Sequence, residues 1–195
     1  MSRLAASLET VARVLGKSER RWALVGALAV SARTEPRFTR DVDVAVAVAD
    51  DADADRVVSL FRSVGYLLFA LVEQEARGRL ATARLVAPET GDLAGVILDL
   101  LFASSGVEEE IIEAAESLEI VPGLRVPVAR AGDLLVLKVL SRAEKRPQDA
   151  ADIQALLYVL TVDDRSRALR LAGLIVERGF ARGKELSREV KALIG

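Results

Sequence analysis

Neither cysteine nor histidine occurs anywhere in the 195 residues. Without cysteine there is no disulfide framework, no thiolate metal site and no thiol nucleophile. Without histidine, Ser-His-Asp chemistry and imidazole-held metals are excluded as well. Any metal ion must therefore sit on oxygen ligands, which selects hard cations such as magnesium, manganese or calcium. Long apolar runs are missing too. The most apolar stretches, 66–72 and 96–103, fall far short of the ~20 residues a bilayer span needs, and no membrane helix is expected. Met1-Ser2-Arg3 leads straight into a pattern broken by Ser7 and Glu9, without the apolar region of a signal peptide. A cytoplasmic protein is the expectation. Aromatic residues make up 4% of the chain and offer no obvious base-stacking platform. The net charge of −2 is not that of a nucleic-acid coat protein or an acidic tail, although a local basic face is compatible with it.

What is present suffices for a folded domain. With 51% hydrophobic residues, a chain of this length buries one substantial core, or a core with a smaller lobe packed against it. Leu4, Leu8, Val11 and Leu15 recur at helical spacing before Gly16 and predict an opening amphipathic helix. Trp22-Ala23-Leu24-Val25 reads as a short strand, followed by Gly26 and an alanine-rich helix over 27–32. After the loop 33–40, residues 42–48 alternate valine with smaller or acidic residues, as a strand does. A helix begins within 50–55 and ends near Gly65, and further strands are predicted at 67–72, 82–86 and 96–102. Another helix is predicted from Val107 to about Leu118. The segment 121–127, with Pro122, Gly123 and Pro127, reads as the main break in the chain. Everything after it reads as helix, through 134–142 and the segments around Leu156, Leu174 and Leu193. The expected class is α/β (α+β): a mixed sheet flanked by helices over 1–127, then a helical lobe over 128–195.

Asp41-Val42-Asp43 places two carboxylates two residues apart on a strand, on one face, with Cα atoms ~6.5 Å apart. Such a pair can share metal ions that stabilise an in-line displacement. Asp-x-Asp alone is common, and Asp51-Ala52-Asp53 and Asp53-Ala54-Asp55 repeat it. Those copies lie at a helix start, where carboxylates cap free N–H groups and oppose the dipole. Asp43 differs, because it is flanked by valines in a strand where an unpaired charge is costly. Asp99 is the lone charge in the apolar run Val96-Ile97-Leu98-Asp99-Leu100-Leu101-Phe102 and needs a cation. Either an internal ion pair to arginine or a metal shared with Asp41 and Asp43 supplies one. Gly26 opens a helix whose free N–H groups attract phosphate, although glycine is also an ordinary turn residue.

Val25-Gly26-Ala27, then Arg37-Phe38-Thr39-Arg40-Asp41-Val42-Asp43-Val44, then the isolated Asp99, together resemble the polymerase-beta nucleotidyltransferase superfamily. The R-x-T-x-D-x-D pattern is similar to that of AbiEii-like nucleotidyltransferases, many of them toxins of toxin–antitoxin pairs. Leu134-Leu135-Val136-Leu137-Lys138 and the later Arg146-Pro147-Gln148-Asp149-Ala150-Ala151-Asp152 resemble that group's helical K…R-x-x-D-x-x-D region. The resemblance covers residues 20–160 or so and lies in the order of the blocks.

The resemblance implies the polymerase-beta-like fold and an NTP-dependent transferase using Mg2+ or Mn2+, with an antitoxin as a possible partner. Asp41, Asp43 and Asp99 would ligate the metal, and Asp99 would also orient or deprotonate the attacking hydroxyl. Gly26 and the backbone N–H of Ala27 would admit the triphosphate, and Lys138 would meet its charge. Arg37 and Thr39 would touch phosphate or position the strand. Ala27 departs from the superfamily, which usually has glycine or serine there, so a hydroxyl contact to phosphate is lost. Lys138 has two other readings, as a partner of Asp149 or Asp152 and as a side chain that snorkels to solvent. The acceptor is a tRNA end, a protein side chain or a small molecule. Residues 165–191 carry eight basic and three acidic side chains, which would suit an RNA backbone but more often form a solvated helix face. The rival reading is a catalytically idle member of the fold that binds a partner protein.

Overall fold

The computed structural model describes residues 3–74, 78–88, 93–142 and 147–195. Leu8, Val11 and Leu15 form the buried stripe of α1 (Arg3–Lys17), as their spacing predicts. Then come β1 (Trp22–Val25), α2 (Gly26–Arg33), β2 (Asp41–Val46), α3 (Asp51–Ser63), β3 (Leu67–Gln74), β4 (Arg79–Val86) and β5 (Ile97–Leu101). The start of α3 is fixed by the Asp50 carboxylate, which accepts the Asp53 N–H at 2.7 Å. Asp53 in turn is buried against Arg20 and Arg56. The repeated aspartates of this segment therefore serve a helix start and its ion pairs.

Two readings of the middle of the chain are corrected. The helix expected to reach Leu118 stops at Glu113 as α4 (Glu108–Glu113), and Glu116–Val121 forms β6 instead. The segment read as the main break is a hairpin. Pro122 and Gly123, the latter at φ +83°, turn β6 into β7 (Leu124–Val128). Ile111, Ile112, Ala115 and Leu118 suit a helix locally, but pairing to β7, which itself adds to β1 through Leu24 and Val128, overrides that preference.

The described strands make one mixed sheet in the order β3-β4-β5-β2-β1-β7-β6, parallel at β5/β2 and β2's antiparallel neighbour β1 meeting β7 in parallel. Four helices follow: α5 (Ala131–Ser141), α6 (Pro147–Val159), α7 (Val162–Glu177) and α8 (Leu186–Ile194). The apolar α5, with Leu134, Leu135, Val136 and Val139 all buried, touches α2, α6, α7 and α8. One continuous cluster of buried side chains runs from Leu8 in the first helix to Ile194 in the last. Among the described residues, no helix is long and apolar enough to cross a membrane.

Gly132 shows how closely these helices meet. A Cβ there would lie 2.3 Å from the backbone carbonyl oxygen of Asp164 in the first turn of α7. That turn is held by a capping box between Thr161 and Asp164, so the carbonyl has little room to retreat. Alanine normally favours a helix interior by ~1 kcal/mol over glycine. Here the overlap should win: Gly132→Ala is expected to destabilise the protein by ~1–3 kcal/mol, read as a lower urea midpoint at unchanged slope.

Candidate active site

Strand parity puts Asp41 and Asp43 on one face of β2, while Val42 and Val44 are buried on the other. Register then brings the remaining groups alongside. Asp43 stands opposite Val25 of β1 on one side and opposite Asp99 of β5 on the other, and Asp99 stands opposite Arg84 of β4. With neighbouring strands ~4.8 Å apart, a single row across the sheet reads Val25, Asp43, Asp99, Arg84.

Gly26 follows Val25 directly and leans on this row. At φ +67° it occupies the left-handed region, and a Cβ would fall 2.0 Å from Oδ2 of Asp43. Two independent constraints therefore require glycine. The N-terminus of α2, with Gly26 and Ala27, opens on a cleft of about 410 Å³ that Asp41, Asp43, Asp99 and Lys138 also line. Six of the eight residues singled out in the sequence thus share one cavity. Arg37 and Thr39 do not line it. They border a neighbouring cavity of about 670 Å³ beside Arg3, Phe38 and Arg40.

The electrostatics are those of anions held together. Burial, then the charges of Asp99 and Asp41, push the Asp43 carboxyl up to about 7, against smaller opposing effects of Lys138 and Arg84. Burial and Asp99 also raise Asp41, with Arg84 and Arg40 opposing. Asp99 is neutralised from within the fold: Nε of Arg84 donates to Oδ1 at 2.8 Å and Nη2 to Oδ2 at 2.6 Å. Those hydrogen bonds hold the guanidinium protonated more firmly still. The ion pair to arginine is the arrangement the fold displays.

Lys138 is likewise engaged, its Nζ 3.0 Å from Asp149 and 2.7 Å from Asp152. Asp152 also receives a two-pronged bond from Arg37, 2.6 Å on each oxygen. Burial works to raise Asp152, but Arg37 and Lys138 together keep it below the usual carboxylate range. A network of two cations and two anions thus ties the loop before β2 to α5 and α6. Thr39 contributes only a long contact, its hydroxyl accepting the Asp41 N–H at 3.4 Å. Arg146 lies outside the described residues. Of the basic side chains late in the chain, Arg165, Arg167, Arg178, Arg182 and Lys184 all bond within the protein.

Sequence reasoning passed over Arg84. The signal was available: a charged residue in the middle of the strand segment 82–86 carries the same cost that singled out Asp99.

Whether these residues suit a divalent ion follows from the donor set. Among the described residues no three Asp, Glu, His or Cys side chains are gathered closely enough to hold a metal. Asp41 and Asp43 form a pair of hard oxygen donors, destabilised as anions by burial and by one another, which is the charge arrangement a cation relieves. The pair fits a divalent ion; the third carboxylate, Asp99, has both oxygens engaged by Arg84.

Solved structures of the same shape come from nucleotidyltransferases. An antigenic nucleotidyltransferase-like protein from Paracoccidioides brasiliensis matches with a TM-score of 0.55 and 19% identity, over 97% of this chain and 93% of that one. The antibiotic-resistance factor ANT(2'')-Ia, in solution, matches with a TM-score of 0.58 and 14% identity, over 91% and 94%. Its crystal structure with adenylyl-2''-tobramycin gives 0.57 and 13%, over 89% and 97%. No curated protein sequence matches the chain. The fold is that of the polymerase-beta-like nucleotidyltransferases, a mixed sheet with its carboxylates on adjacent strands. Within that class, residues 10–192 match the family described as nucleotidyl transferase AbiEii toxin of type IV toxin–antitoxin systems, and the chain belongs to this family of NTP-dependent nucleotidyltransferases.

Two outcomes are expected of this geometry. A folded-state carboxyl near 7, against an ordinary 3.8, retains its proton where the unfolded chain has lost it. The stability this contributes is complete at low pH and is lost as pH rises from about 4 through about 7. The melting temperature of the metal-free protein should fall by several degrees across that range. Asp43→Asn should flatten the fall and melt higher than wild type at pH 8; Asp133, raised by burial to about 6 despite Arg167, leaves a shared background slope in both. Lys138→Met keeps most of the stem but strands Asp149, whose other oxygen has no hydrogen-bond partner among the described residues. A loss of ~3 kcal/mol is expected in urea unfolding without nucleotide.

Proposed function

We propose that the protein transfers an NMP from an NTP to an acceptor hydroxyl, releasing pyrophosphate, with Mg2+ or Mn2+, and that it acts in the cytoplasm as the toxin of a toxin–antitoxin pair. The observation that carries the reading is the convergence of Asp41, Asp43 and Asp99 on one cleft with the Gly26 start of α2. Asp41 and Asp43, joined by Asp99 when Arg84 releases it, would hold the divalent ion. Bound there, such an ion supplies neutralisation of the triphosphate and of the charge that develops on the leaving oxygen. Gly26 and Ala27 present backbone N–H groups and the positive end of the helix to phosphate. Lys138, on the opposite wall, meets the triphosphate by exchanging one carboxylate partner for phosphate oxygens. Asp99 orients the acceptor hydroxyl and takes its proton. The acceptor is an RNA end such as that of tRNA, a protein side chain or a small molecule. The family match favours the toxin role.

Incubation of the protein with magnesium, each α-labelled NTP in turn and a cell extract tests the reading. Wild type should label one class of acceptor with one NTP. Asp43→Asn should label at least about a hundredfold less, the scale on which a positioned charged group acts. Magnesium with NTP should also raise the melting temperature of wild type and not of Asp43→Asn. Absence of labelling with every NTP, or equal labelling by the variant, would overturn it and favour an idle member of the fold that binds a partner protein.

A further inference from the structure

Two arginines line the cleft without a task in the proposed mechanism: Arg182, bonded to Ser104, and Arg84, which is paired with one of the aspartates themselves. The place of the latter is set by the sheet, because β4 stands opposite β5 in a register that puts Arg84 directly across from Asp99. It covers both carboxylate oxygens. The two partners differ in freedom: the Arg84 side chain is 43% exposed and Asp99 only 8%. The guanidinium can therefore swing into solvent, while the carboxylate stays in the row beside Asp43. Lys138, the other cation nearest this row, is held by two carboxylates of α6 and cannot replace it.

We propose that Arg84 is a positioning residue, an internal counter-ion that holds Asp99 in the nucleotide-free protein and competes with the divalent ion for it. The inference rests on the reading of Asp41, Asp43 and Asp99 as a metal-holding group. Arg84 keeps the third carboxylate neutralised and aimed while nothing is bound. Its withdrawal leaves Asp99 free to join Asp41 and Asp43, and places the guanidinium at the mouth of the cleft that it lines. The protein thus trades full metal affinity for a resting state in which a buried anion is never left alone.

The size of the effect follows from carboxylate chemistry. The guanidinium occupies both carboxylate oxygens and its charge repels a divalent ion that seeks them, so removal of the charge should strengthen binding by about tenfold.

Binding of Mn2+ alone, without nucleotide, tests this. Free Mn2+ is measured by electron paramagnetic resonance in titrations of wild type, Arg84→Gln, Asp99→Asn and the double variant, with circular dichroism to establish that each is folded. Arg84→Gln should bind Mn2+ about tenfold more tightly than wild type, and the gain should vanish in the Asp99→Asn background. A purely structural arginine would not produce tighter binding when removed. Arg84→Lys, which keeps the charge but gives up one of the two hydrogen bonds, should lie between and serves if Arg84→Gln does not fold. Equal or weaker binding in the folded variants, or a gain that persists without the Asp99 carboxylate, overturns the proposal. If wild type binds Mn2+ and Arg84→Gln binds it no better, only the role of Arg84 falls. If wild type and all variants bind none, the metal-holding reading of the aspartates falls with it.

Discussion

Like charges held side by side govern this molecule. The register of β2 against β5 sets Asp43 beside Asp99, and the two-residue period of the strand sets Asp41 on the same face. No relaxation within the sheet separates them, because a one-residue slip would turn Val42 and Val44 out of the core and the aspartates into it. The repulsion is built into the backbone. What surrounds it are ways of living with it: protonation of Asp43 near neutral pH, the fork of Arg84 on Asp99, and a glycine where any side chain would press into the Asp43 carboxylate.

A second charge network, Arg37–Asp152–Lys138–Asp149, stands across the cleft and is internally balanced. It does different work. Through Arg37 it fixes the loop that delivers the chain into β2, and through Lys138 it fixes the wall facing the aspartates. The cleft thus has one side that carries an excess of negative charge and one whose charges are already matched. Among the described residues, the cation of the cleft without a carboxylate partner is Arg182, bonded to Ser104, so added positive charge favours entry of a polyanionic substrate.

Much of this was written in local patterns. The spacing of Leu8, Val11 and Leu15, the valine alternation around Asp43 and the isolation of Asp99 each reflect a constraint that acts within a few residues, and each element formed as read. Residues 116–121 failed for the opposite reason: they are a strand only because β7 lies beside them, and β7 is placed by β1, about a hundred positions earlier in the chain. Arg84 belongs to the same category. Its meaning is the residue across from it, and cross-strand register is not visible in a single segment. For Lys138, both a phosphate role and pairing to Asp149 or Asp152 were legible; the chain displays the pairing.

The contact of Gly132 with the carbonyl of Asp164 bears on how the cleft behaves in time. Helix α5 carries Lys138 and is itself locked against α7 at a distance that leaves no space for a methyl group. The same buried cluster continues from the sheet through α5 into the last helix. Among the described residues the Gly132 contact opposes any approach of α5 towards α7, so the part of the wall left to adapt is its side chains, Lys138 with Asp149 and Asp152, whose rearrangement is faster than the movement of a helix.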